Sequence, residues 1–183
     1  MNSVQGQFLV SSRRLVDPNF HRAVVLIIKH DEDGALGVVV NRPLSVTVKQ
    51  VLEDALGREL DVVGNIHQGG PCEGPLMVVY EDPDAAPGGT EPVLPGLHFT
   101  AERGTIEDLL RHHDGPMKFF ANYSGWTAGQ LERELEEGSW LAVSANKDQV
   151  FAPGPKLWDQ LVTQALLGKP LPPQVIPEDP SLN

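Results

Sequence analysis

Hydrophobic positions along this chain come in short blocks whose spacing changes from block to block. Ala23–Ile28 is six consecutive apolar residues, rich in β-branched side chains. An unbroken apolar run of that length predicts a strand over Ala23–His30 that is covered on both faces. Asp31–Gly34 (DEDG) is a turn signal, and Leu36–Asn41 is apolar again, so residues 23–41 read as a hairpin. Phe8–Ser11 is a short strand ahead of it. The spacing then turns helical at Val48, Val51, Leu52 and Ala55. That predicts a helix from about Thr47 to Leu56, opened by a Thr47–Gln50 capping box and stopped at Gly57.

Gln68-Gly69-Gly70-Pro71-Cys72 is a glycine turn ahead of a strand at Leu76–Tyr80, and residues 82–89 (DPDAAPGG) are breakers. Leu97–Thr100 predicts a strand, and Thr105–His112 a helix with Ile106, Leu109 and Leu110 inward. Met117–Tyr123 reads as one strand and Trp140–Ser144 as another. Between them, Thr127 and Gln130 form a second capping-box pattern, Leu131 and Leu135 an apolar stripe, and Gly138 a left-handed stop. Pro155 sits at the first position of a last helix, with Leu157, Trp158, Leu161, Val162, Ala165 and Leu166 inward and Gly168 and Pro170 ending it. Residues 169–183 carry five prolines and little periodicity, which predicts an extended or disordered tail outside the domain. The order of elements is not a regular βαβ alternation. It implies a single α+β domain over residues 1–168 with a mainly antiparallel sheet.

Composition narrows the function classes. No apolar run approaches the roughly 20 residues that span a bilayer, and the start shows no secretory signal. One cysteine, Cys72, allows no intrachain disulfide, so a cytoplasmic protein is expected, with no membrane association. The net charge is −11. Residues 1–60 are neutral, with seven basic and seven acidic side chains, and residues 61–183 hold the whole excess, seven against eighteen. Duplex binding draws its affinity from clustered Lys and Arg, so this balance disfavours nucleic acid as a partner. Arg13, Arg14, Arg22 and Arg42 lie in the neutral part and are candidates to converge on a small anion; as an alternative they are solvated strand-end residues.

Other candidate chemistry is incomplete. Gly69-Gly70-Pro71 could present backbone amides to an anion or serve as a tight turn before a buried strand. The phosphate-loop pattern G-x-x-x-x-G-K-[ST] is absent. Cys72, five residues after His67, could be a thiolate paired with an imidazole or a small buried hydrophobe. His112 and His113 are adjacent and point apart on a helix, and there is no H-E-x-x-H, so no metal site is expected. His30, beside Asp31, suits a structural hydrogen bond. Ser124 lacks the G-x-S-x-G elbow of a hydrolase. Trp126, Trp140 and Trp158 suit the core, with a partly exposed Trp126 as an alternative binding anchor.

Four ordered blocks resemble the YqgE/AlgH family: G-Q-F-L-V to His30, with Asp17 and Phe20 as D-x-x-F; G-A-L-G-V-V-V-N-R-P, ending in Asn41, Arg42 and Pro43; Gly69-Gly70-Pro71; and the Trp126–Gln130–Trp140 segment with its G-Q-L-E. Two departures stand out. The first strand ends in Ser-Ser-Arg-Arg where the family more often has a small residue and a proline, and Cys72 replaces an aliphatic residue. The resemblance implies a bacterial protein with a compact α+β domain, its sheet split or barrel-like and flanked by about four helices. It implies a regulatory role in gene expression for some members, and no cofactor. The function expected is a non-enzymatic module for a protein partner or a small ligand. The surface expected combines Asn41, Arg42, Gly69, Gly70, Pro71, Asn122, Gly125 and Trp126. The alternative is an enzyme or binding protein for a small anionic substrate, with Arg42 as clamp, the glycine loop as cradle and His30 or His67 as base. A direct transcriptional regulator is the third reading, and the charge counts against it.

Overall fold

The continuous apolar run is the spine of the molecule. The computed structural model describes residues 3–57, 62–82, 92–151 and 156–167. In it the run becomes the centre of a five-stranded antiparallel sheet made of β1 (Gln7–Ser11), β2 (Val24–Asp31), β3 (Gly34–Val39), β9 (Ser124–Thr127) and β10 (Trp140–Ser144). The order is β10-β1-β2-β3-β9. A second sheet holds β4 (Pro43–Thr47), β5 (Asn65–Gln68), β6 (Met77–Glu81), β7 (Leu97–Thr100) and β8 (Met117–Ala121). Its order is β4-β5-β8-β6-β7, antiparallel except for the parallel β5–β8 pair.

Period-two alternation explains why β2 needs apolar residues throughout. Val24, Leu26 and Ile28 join a central cluster that also takes Phe8 from β1 and Met77, Val79 and Phe120 from the second sheet. Val25 and Ile27 join the cluster on the opposite face, under Leu131 of α3 (Gln130–Glu136). Residues 23–27 are completely buried. Burial of each Val, Leu or Ile contributes roughly 1.5–3 kcal/mol, so this run is a large local source of stability. The central cluster is closed by Leu157, Trp158, Leu161 and Val162 of α5 (Lys156–Leu167) and by Val150 of α4 (Lys147–Phe151). On the outer face of the second sheet, Ile66, Val78 and Phe119 meet Val48 and Leu52 of α1 (Val48–Leu56) and Ile106 of α2 (Arg103–His112).

Local signals place most of these elements. Both bonds of the Thr47–Gln50 capping box form, and Gly57 ends α1 in the left-handed region at φ 64°. The end of α3 is also as expected: Gly138 has φ 74°, its N–H reaches Leu135 O and the Ser139 N–H reaches Glu134 O, the paired bonds of a Schellman stop. The start of α3 differs. Thr127 is the last residue of β9, and the N-cap is Gly129. Gln130 Oε1 still accepts the Thr127 N–H at 3.1 Å, but the Thr127 hydroxyl donates to that same oxygen and caps no amide.

Met117–Tyr123 is not one strand. Asn122 takes φ 63°, which breaks the extended run and sends β8 into one sheet and β9 into the other. Strands β4 and β5 and helix α4 lacked a clear sequence pattern, and α4 raises the number of α-helices among the described residues to five. Leu166 is 49% exposed rather than inward, because α5 turns only the Leu157–Leu161 side to the core. The expected starts and stops at Gly154, Pro155, Gly168 and Pro170, and the tail at 169–183, lie outside the described residues. No helix among the described residues is long and apolar enough to cross a membrane.

Candidate functional site

The loops expected to carry function do meet, and they meet as a junction of backbone. Gly69 N–H donates to Ala121 O at 2.8 Å, while Gly69 O accepts from Val39 N–H at 2.8 Å and from the Ser124 hydroxyl at 3.0 Å. Cys72 and Tyr123 exchange both backbone hydrogen bonds, at 2.9 and 3.0 Å. A Cβ on Gly69 would lie 2.3 Å from Asn122 O, and one on Gly70 2.2 Å from Tyr123 O. The glycines are therefore required by close approach of two chains, and the Gly69 amide is already spent. Ser124 is fully buried with its hydroxyl engaged, so it is no nucleophile. Pro71 follows as an exposed turn residue, and Gly125 lies against the Tyr123 ring and Cys72 Sγ. Among the described residues no hydrogen bond joins Cys72 to His67.

Asn41 and Arg42 hold a neighbouring loop. Asn41 Oδ1 accepts from Val24 N–H and its Nδ2 donates to Arg22 O, each at 2.9 Å. The Arg42 guanidinium donates to Asn19 O and, at 2.9 Å, to His21 O. Burial lowers the Arg42 pKa, with Asp17 opposing. Asp17 Oδ1 in turn accepts Asn19 N–H at 2.8 Å. Arg13 and Arg22 share a rim with His21, but Arg22 is committed to Asp159 at 2.5 Å and sits 4.7 Å over the Trp158 ring. The four arginines do not converge on one anion.

Trp126 is 6% exposed, so it is no surface anchor. It packs with Phe20 and Trp140, whose ring centroids lie 6.2 and 5.9 Å away. The Trp126 and Trp140 indole N–H groups both donate to Glu134 Oε2, at 2.9 and 2.8 Å, and Gln130 Nε2 donates to Glu134 Oε1 at 2.9 Å. Glu134 thus organises the segment, a role that sequence reading missed, though its place one helical turn after Gln130 was the available signal. His30 is similarly occupied: Nδ1 accepts Val4 N–H at 3.1 Å, which leaves Nε2–H to donate to Glu132 at 2.9 Å. Among the described residues no group of three or more His, Cys, Asp or Glu side chains gathers to hold a metal ion.

A different site is built on the central face of the second sheet. Alternation along β8 puts residue 118 on the same side as Phe120, where an apolar residue is expected, and the chain has Lys118 there. Lys118 is 5% exposed. Its Nζ donates to Val150 O at 2.9 Å, and among the described residues no carboxylate lies within ion-pair distance. Burial pulls its pKa down to about 8. On the adjacent β5, His67 is paired in register with Phe120, with ring centroids 5.9 Å apart. Burial and then the Lys118 charge lower the His67 pKa to about 4. Both line a pocket of about 390 Å³ whose walls include Pro43, Val48, Val63, Met117 and Phe151. Lys118 was not singled out from the sequence, although a lysine inside the apolar run Met117–Ala121 was the visible signal.

The chain matches the AlgH-like family over residues 8–169. It belongs to that family. A UPF0301 protein of Streptomyces coelicolor is 38% identical over 197 residues, covering 100% of this chain and 97% of its own. One from Thioalkalivibrio sulfidiphilus is 37% identical over 154 residues, with 80% of each chain covered. The solution structure of the AlgH protein from Pseudomonas aeruginosa superposes with a TM-score of 0.69 at 27% identity, covering 93% of this chain and 94% of that one. A crystal structure from Corynebacterium diphtheriae, 24% identical, shares the fold with a TM-score of 0.74 over 94% and 90% of the two chains. The AlgH-like blocks quoted above are, in this chain, the junction, the Arg42 brace and the Glu134 cluster, while the Lys118 pocket shares only Pro43 with them among its described lining residues.

Two substitutions test these assignments. Gly70→Ala forces a methyl group into Tyr123 O and should cost about 3 kcal/mol or more in urea unfolding; a loss under about 1 kcal/mol would contradict the close approach. Glu134→Leu strands two indole donors at about 1–3 kcal/mol each, and Glu134→Gln, which keeps an acceptor oxygen, should recover most of that stability. Equal losses in the two variants would show that the carboxylate is not the organiser.

Proposed function

We propose that this protein is a non-enzymatic binding module for a small anionic ligand, with the Lys118 pocket as its site. The observation that carries this reading is a buried ammonium group whose contact among the described residues is one backbone carbonyl. A buried charge without a counter-charge is expensive, and an incoming anion relieves that cost. The lining supports binding more than turnover. Its described residues include no carboxylate, hydroxyl or thiol nucleophile, and in this reading the Lys118 amine serves as the protonated cation that holds the anion. His67, with a pKa near 4, is a poor general base at neutral pH. The Arg42 and Gly69–Gly70 region serves as frame in this reading. The regulatory role implied by the family resemblance would follow ligand occupancy rather than contact with DNA, which the charge of −11 opposes.

Benzoate titrated into ¹⁵N-labelled protein should shift the amides of His67, Lys118 and Val150, and Lys118→Met should abolish those shifts. Shifts elsewhere only, or a response unchanged by the variant, would refute the site. Affinity should fall as pH rises through about 8, where Lys118 loses its proton.

The same group makes a prediction about stability. Protonated Lys118 penalises the native state below about pH 8. Between there and the ordinary lysine value the unfolded chain binds more protons, so stability from this group rises with pH. Lys118→Met should therefore raise the Tm at pH 7, with the advantage shrinking above pH 8. Differential scanning calorimetry at pH 7 and pH 10 checks the sign, and a lower Tm for the variant at pH 7 would contradict it.

A further inference from the structure

The donors and acceptors around the pocket restrict which anion fits. His67 Nδ1 lies 3.1 Å from Asn65 O, a pure acceptor, so Nδ1 carries the proton and Nε2 of the neutral ring is a lone-pair acceptor. Nε2 would repel a second anionic oxygen and welcome a hydroxyl. The start of α1, near the same pocket, has few amides to offer: Val48 N–H donates to Gly64 O at 3.0 Å and Gln50 N–H to Thr47 Oγ1 at 3.2 Å. Phosphate sites commonly rely on such free amides. Among its described residues this pocket has one buried cation, Lys118. Its walls are otherwise largely apolar, and about 390 Å³ is at the small end for ligand sites, which run roughly 300–1,000 Å³.

Resting on the anion-binding reading above, we infer that the ligand is a small hydroxylated monocarboxylate with an apolar body. Its carboxylate meets the Lys118 ammonium, its hydroxyl donates to His67 Nε2, and its hydrocarbon part lies against Val48, Val63, Met117 and Phe151. No bond is made or broken. Dicarboxylates and phosphate are rejected because their second charge has no cation and faces the His67 lone pair. Short hydroxy acids are held weakly because they leave the apolar walls uncovered.

The test is isothermal titration at pH 7 with four probes: 2-hydroxyisocaproate, isocaproate, lactate and inorganic phosphate. 2-Hydroxyisocaproate should bind tightest. Isocaproate, which leaves the imidazole acceptor unpaired, should bind about tenfold more weakly, and lactate and phosphate more weakly still. His67→Phe should erase the difference between 2-hydroxyisocaproate and isocaproate, whereas Lys118→Met should weaken both by about tenfold or more. Near-UV circular dichroism confirms that each variant is folded. The unmodified protein supplies an independent reading, since the His67 Nε2 nitrogen resonance should move upfield with 2-hydroxyisocaproate and stay in place with isocaproate. Phosphate binding as tight as 2-hydroxyisocaproate, or a hydroxyl preference that survives His67→Phe, would overturn the ligand class and leave the anion site standing. No binding by any probe, or indifference to Lys118→Met, would overturn the anion site itself.

Discussion

The architecture depends on how closely two stretches of backbone can pass. Residues 69–72 run against residues 121–124 at distances that exclude a side chain at either glycine. There a strand of one sheet continues into a strand of the other. The contact orients the sheets because its bonds reach both: Val39 and Ser124 belong to the first sheet, Ala121 to the second, and all three bond to Gly69. With those partners the buried Gly69 amide and carbonyl are fully satisfied, as buried backbone groups must be. The two sheets then face each other across the central cluster, and α5 can close it. Its anchor is Trp158, whose indole N–H donates to Ser11 O at 2.9 Å.

The segments that identify the family do related work. Phe20, Trp126 and Trp140 stack on the outer face of the first sheet, and Glu134 accepts from both indoles. Polar groups at the edge of an apolar cluster specify one arrangement, because any other leaves a donor unpaired. Asp17, Asn41 and Arg42 do the same for the loop at residues 18–22. A loop carrying arginine, glycines and tryptophan can therefore look like a binding surface while its polar atoms are turned onto the chain itself.

The Lys118 pocket is the opposite case. Its cation breaks the apolar alternation of β8, is poorly compensated, and lies in a protein whose net charge of −11 would repel an anion at a distance. Under the proposed function, recognition there comes from contact rather than from long-range attraction. A residue that costs stability and has one backbone carbonyl as its contact among the described residues is what the proposed anion-binding role accounts for.

Much of the fold was legible along the chain, because the signals are local. Ala23–Ile28 suited a doubly covered strand, Thr47–Gln50 capped a helix, Gly138 stopped one, and Trp140–Ser144 was placed to the residue. These are decided by the covalent neighbours of each residue. Elements held by pairing rather than pattern, β4 and β5, were not legible, since four or five residues of mixed polarity carry no period. The break at Asn122 was hidden for a related reason: its left-handed backbone is demanded by the junction, not by the apolar residues before it. The family blocks could be read as important from the sequence, but not as blocks whose polar atoms bond so largely to the chain itself. That rests on where hydrogen-bond partners end up, dozens of residues away. That His67 and Lys118 share one pocket was beyond sequence reading altogether, because it follows from the parallel register of β5 on β8, which sets His67 opposite Phe120. Only the folded chain decides what water is excluded from Lys118, and so gives a lysine in a strand its chemistry.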